Sequence, residues 1–186
     1  MNQESIDNIR LSLRLVGLAI CGTLIAPAWA AEENKSAFPG TEAGATSLLQ
    51  EFVKPGADHA ALSKPLRPTT ADYAAVFEPE TATKVAAMYD PLWNSGQLVI
   101  APKPGQSEVK LFSATTDELK SWTGGAAEFP GGWKQIGPKL KPGFKIYRFK
   151  FVEPGQSLGM AFDGLIYVNG NWRIFPKAWR AMEKQP

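Results

Sequence analysis

The chain has 186 residues, 44% of them hydrophobic and 20% charged, and carries a formal net charge of +2 at neutral pH. That length is one domain's worth, and the near-neutral balance gives no electrostatic case for nucleic acid. One cysteine and one histidine exclude a cysteine–histidine metal site, so neither metal nor cofactor is expected.

Arg10 and Arg14 precede an apolar run over residues 15–26. The run has the length of a secretory h-region and is too short to cross a bilayer as a helix. Ala28-Trp29-Ala30 then matches an A-x-A cleavage site. Residues 1–30 are therefore expected to leave as a signal peptide, making the product periplasmic or secreted. Ile20 is too large for the position before a lipidated cysteine at Cys21. Cys21 is the only cysteine, so its loss with the leader leaves a chain without disulfides. Residues 31–45 are small and polar and read as a flexible N-terminus. Residues 46–186 read as one domain with no further membrane-spanning run.

Helical signals fill residues 46–94. Leu48, Leu49, Phe52 and Val53 recur at helical spacing and stop before Pro55-Gly56. A short helical turn follows over 58–64. Thr69 or Thr70 can cap a third segment, and Pro79 can open a fourth with Val85, Met88, Tyr89 and Leu92 on one stripe. Pro91 should tighten or kink its last turn.

Strand signals take over from Gln97. Residues 98–101 and 108–112 flank Pro104-Gly105-Gln106-Ser107. Thr115 and Glu118 have capping-box spacing, which predicts a short helix inside the sheet. Residues 144–152 alternate Tyr147, Phe149 and Phe151 against Arg148 and Lys150, as a half-buried strand does. A second Pro-Gly-Gln-Ser at 154–157 leads into residues 160–168. Asn169-Gly170 then predicts a type I′ hairpin into residues 171–175. The two Pro-Gly-Gln-Ser stretches read as repeated turn chemistry, because their flanks share no residue identities.

Helices followed by antiparallel strands make an α+β layout, with the helices expected across one face of a strongly curved sheet. The order of elements, and above all GMAFDGLIYVNGNWRIFPKAW near the C-terminus, resembles the nuclear transport factor 2-like superfamily. The resemblance implies a cone with a pocket between sheet and helices. Its members include enzymes of the ketosteroid isomerase and polyketide cyclase kind and many non-catalytic binding modules, so fold alone leaves activity open.

Counting from the hairpin turn places Asp163, Leu165, Tyr167, Trp172 and Ile174 on one face. With Tyr147, the residues Asp163, Tyr167 and Trp172 become the candidate wall of a ligand pocket. The competing reading is a bulge at Asp163-Gly164 that turns the carboxylate to solvent or towards a lysine. His59 has no histidine or cysteine partner and reads as a helix-packing residue. The cations Lys134, Lys139, Lys141, Lys145, Arg148 and Lys150 read as a solvated strand edge, or else as an anion site. Three functions compete. The first is an exported, non-catalytic module for a small apolar or amphipathic ligand or an envelope partner. An isomerase, cyclase or lyase using Asp163 as general base and a tyrosine as acid is the second. The third is a structural protein that forms a homodimer through its sheet.

Overall fold

The computed structural model describes residues 35–183, so the expected leader and its cleavage site at Ala30 lie outside the described residues. Thr41 caps α1 (Glu42–Phe52), its Oγ1 accepting from Gly44 N at 3.1 Å and satisfying one of the donors a helix start leaves unpaired. That cap starts the helix ahead of the expected Thr46, inside the stretch read as flexible. The side of α1 carrying Leu48, Leu49 and Phe52 is buried. Asp58 caps α2 (His59–Ser63), and Thr69 with Asp72 forms a capping box on α3 (Thr70–Val76). Pro79 opens α4 (Pro79–Asn94), where its missing N–H costs nothing, and the helix continues through Pro91. Val85, Tyr89 and Trp93 are the large side chains it buries.

Among the described residues, four strands form an open antiparallel sheet in the order β1-β2-β3-β4: β1 (Glu108–Thr115), β2 (Lys145–Val152), β3 (Gly159–Val168) and β4 (Asn171–Ile174). Between β1 and β2 run α5 (Thr116–Ser121), a 3-10 turn and α6 (Trp133–Ile136). The Thr115–Glu118 capping box opens α5 as its spacing predicts. Asn169 and Gly170 take φ of 50° and 77°, the signs that a type I′ turn requires. Val168 faces Asn171, Tyr167 faces Trp172 and Leu165 faces Ile174, the register expected.

Residues 98–101 are a correction. They belong to no strand of the sheet. The buried Ile100 N–H donates instead to Ser63 Oγ at 2.9 Å, which satisfies that donor with a side chain. Both Pro-Gly-Gln-Ser stretches are turns with glycine at positive φ. They meet at one end of the sheet, where Met160 N donates to Gln106 Oε1 at 3.4 Å and Gly155 N to Glu108 Oε2 at 3.2 Å.

A bulge in β3 divides the faces. Tyr147 pairs with Leu165, but Arg148 pairs with Asp163, leaving Gly164 as the extra residue. Its φ of 81° is a conformation glycine tolerates best, and a Cβ there would lie 2.2 Å from Phe175 O. Because side chains alternate with period two, one extra residue reverses the parity below it. Met160, Phe162, Leu165, Tyr167, Trp172 and Ile174 therefore share one face with Tyr147, Phe149 and Phe151. Asp163 lies on the opposite face with Ile146, Arg148, Ile166 and Arg173. The expectation that Asp163 shares a face with Tyr167 and Trp172 is thus corrected by one bulge.

The helices are divided as well, contrary to the expectation of one covered face. Phe52 of α1 stacks on Phe151 at 6.1 Å between ring centroids. On the other side, Tyr73 and Phe77 pack edge-on against Phe175, at 5.4 and 5.3 Å. The 3-10 turn Lys64–Leu66 joins the two layers past β4, where Arg173 Nη1 donates to Pro65 O at 2.6 Å. The chain wraps round the β4 edge of the sheet.

Candidate functional site

The structure brings Tyr147, Tyr167 and Trp172 together and leaves Asp163 apart. The Trp172 ring meets Tyr147 at 5.6 Å and Tyr167 at 5.3 Å, both edge-on. Trp172 Nε1 donates to Phe38 O at 3.2 Å, and the Tyr167 ring lies so close on Gly40 that a Cβ there would clash at 2.2 Å. Burial pushes the Tyr147 hydroxyl pKa up, with the Glu42 charge adding to it. These aromatics pack the N-terminal strap, residues 35–41, onto the sheet. A groove of about 300 Å³ borders Trp172, Leu48, Leu62 and the strap.

Asp163 is buried, 4% exposed, at the bulge. Its Oδ1 accepts from Lys177 N at 2.9 Å, and Phe175 N donates to Gly164 O at 2.9 Å. Asp163 and Gly164 thereby dock the segment after β4 back onto β3. The alternative reading of a bulge that aims the carboxylate at a lysine comes close, but the partner is a backbone amide. Desolvation by burial raises the Asp163 pKa. The Lys177 amide, the Trp133 indole and the charges of Lys177 and Arg148 oppose that rise. Trp133 Nε1–H is close enough to favour the ionised form, yet it completes no hydrogen bond of normal geometry. Burial and then the Asp163 charge push Tyr89 up to about 12, while its hydroxyl donates to Lys177 O at 3.3 Å.

His59 is structural. Its ring stacks on Phe52 at 6.4 Å, and Nε2 donates to Phe52 O at 2.8 Å. The basic run is dispersed by the fold. Lys141 Nζ donates to Ala74 O at 2.8 Å, Arg148 Nη1 to Glu128 O, and Lys150 Nζ to Ser157 O at 3.4 Å. Among the described residues, no group of three His, Cys, Asp or Glu could hold a metal ion, and no helix is long and apolar enough to cross a membrane.

A larger groove, about 460 Å³, opens between α2, the Lys64–Leu66 turn, the end of α4 and the residues after it. Its wall includes Trp93, Leu98 and Val99, and Lys64, Arg67 and Asn94 also line it. Gly96, with φ of 70°, turns the chain out of α4 so that Leu98 and Val99 lie opposite α2. Ser63 bolts the two walls together, donating to His59 O at 2.7 Å while accepting from Ile100 N. Val99 is 41% exposed, and among the described residues only Leu158 is a more exposed large hydrophobic. Neither groove is lined by Asp163. The sequence reading missed this groove because it took residues 98–101 for a strand. The available signal was the Pro65/Pro68 bracket, which forces a corner at Lys64–Arg67.

Comparison with known proteins returns no matching family model, no matching curated protein and no matching solved structure.

Proposed function

We propose that this is an exported, non-catalytic binding module that holds a small apolar or amphipathic ligand in the groove between α2 and the end of α4. One observation carries the reading: a space of about 460 Å³, in the size range of ligand sites, walled by Trp93, Leu98 and Val99 beside a few polar groups. Val99, 41% exposed, lies in the groove wall, where a ligand would cover it. Export rests on the leader and A-x-A site of the sequence. Membership of the nuclear transport factor 2-like superfamily belongs to the same proposal, supported by helices followed by an antiparallel sheet.

The catalytic alternative draws on a buried Asp163 with a raised pKa, the property expected of a general base. Its Oδ1 is already engaged by the Lys177 amide, and it borders neither groove, so the binding reading is the stronger.

The test is calorimetric titration of the chain with octanol. Saturable binding is expected, and Val99→Asn should weaken it about tenfold through lost apolar contact. Octanol affinity indifferent to Val99→Asn would remove this groove as the site.

A further inference from the structure

We infer that the groove selects a single-chain anionic amphiphile, its head between Lys64 and Arg67 and its tail along Trp93, Leu98 and Val99. This rests on the binding reading above and adds the chemistry of the head. Arg67 N donates to Lys64 O at 3.3 Å, closing a 3-10 turn. Side chains three apart on such a turn nearly eclipse, so the two cations leave the chain side by side. Pro65 lies between them and Pro68 follows, which fixes the corner by restricting its backbone. Both residues line the groove, yet among the described residues neither forms an ion pair. Asp90, one turn before Asn94 on α4, raises the Tyr73 hydroxyl pKa while Arg67 lowers it, but Asp90 is within ion-pair distance of neither Lys64 nor Arg67.

Two adjacent like charges repel, and Lys64 is exposed and Arg67 half-buried, so both stay open to an anion. An anion bridging both relieves the repulsion. A guanidinium beside an ammonium suits a carboxylate or a phosphate monoester, since the planar fork meets two oxygens and the ammonium adds a mobile third donor. A bare anion would leave Leu98 and Val99 wet, and a neutral chain would leave the cations unpaired. The ligand that satisfies both has a charged end and an apolar tail.

Octanoate, octyl phosphate, octanol and octyltrimethylammonium share one tail and differ in head, so titrating the full chain with each reads head selectivity directly. Octanoate or octyl phosphate is expected to bind at least about tenfold tighter than octanol, with octyltrimethylammonium weakest, and whichever anion binds tighter identifies the head. The preference should shrink as salt rises, because part of it is exposed electrostatics. Lengthening hexanoate to octanoate should tighten binding about fourfold per methylene. The double variant Lys64→Gln/Arg67→Gln should lose the anion preference and keep its affinity for octanol, which also reports that the groove is intact. Equal binding of all four heads would overturn the anionic inference while leaving the groove reading standing. A preference that survives in the double variant would also overturn it. If none of the four binds, the binding reading itself falls.

Discussion

Asp72 and Asp163 are both buried on the same side of the sheet, 1% and 4% exposed, yet they are held in opposite ways. Asp72 Oδ2 accepts from Thr69 N, Thr69 Oγ1 and Arg173 Nε, each at 2.8 Å, and Oδ1 accepts from Asn169 Nδ2 at 2.8 Å. Four donors, one of them a guanidinium, replace the water the carboxylate lost. Asp163 has one backbone donor and an indole that falls short of a bond. A buried carboxylate is tolerable when its donors are supplied, and costly to keep ionised when they are not. Asp72 therefore clamps α3 to the hairpin, whereas Asp163, its carboxyl pKa raised by burial, anchors the chain after β4.

The largest effect is expected at the well-served site. Asp72→Ala removes four acceptor contacts and strands the Arg173 guanidinium, which is only 16% exposed. The loss should be about 3 kcal/mol, measured by urea unfolding. Adding Arg173→Met should recover part of it, because the uncompensated charge goes. A loss below about 1 kcal/mol would mean that the clamp is solvated and worth no more than a surface pair.

At the poorly served site, Asp163→Ala takes the acceptor from the part-buried Lys177 amide, which costs about 0.5–1.5 kcal/mol. The segment after β4 should loosen with it, seen as faster amide exchange at Phe175 and Lys177 than in the Asp72 variant at equal stability. Equal protection of those amides in both variants would separate Asp163 from the docking of that segment.

How far these sites were legible follows from the range of the interactions that make them. Thr69, Thr115 and Asn169-Gly170 were readable because a cap and a type I′ turn are settled within four residues. The Asp72–Arg173 clamp spans 101 residues, and no local pattern announces it. Gly164 carried half a signal, since a glycine inside a strand marks a bulge or a close approach of backbone. Here it marks both, but only the approach of Phe175 O decides that the bulge is present and that Asp163 changes face. Residues 98–101 were apolar enough for a strand, and an apolar run alone does not say whether its donors go to a neighbouring strand or to Ser63.

Gly170→Val bears on one side of the comparison. The turn delivers Asn169 and Arg173 to Asp72, and a β-branched residue is strained at φ of 77°. Only the flexible Lys35 side chain lies near the new Cβ, at 3.3 Å, so the loss should come from the backbone and be about 1 kcal/mol. Asp163, beyond the bulge, should keep its raised pKa in this variant. An unchanged melting temperature would mean that the turn does not hold the register.

The smallest effect carries a sign that depends on pH. Asp163→Asn keeps an oxygen for the Lys177 amide and removes a charge that burial disfavours. It also forgoes the attraction of Trp133, Lys177 and Arg148, so the net change should stay within about 1 kcal/mol. Because the folded pKa lies above the ordinary 3.8, the native state holds this proton more tightly than the unfolded chain does. Below 3.8 both states are protonated at this site, and it contributes no pH dependence. As pH rises from 3.8 through the folded pKa, the wild type alone loses stability, and above that value the loss is complete. Stability of the Asp163→Asn variant relative to wild type should therefore climb across that window and then level off. Urea unfolding of both chains at steps from pH 3 to pH 7 measures the climb. A flat difference would make Asp163 as well solvated as a surface carboxylate. A difference that falls with pH would mean that Trp133, Lys177 and Arg148 outweigh burial, and the two aspartates would then be held alike.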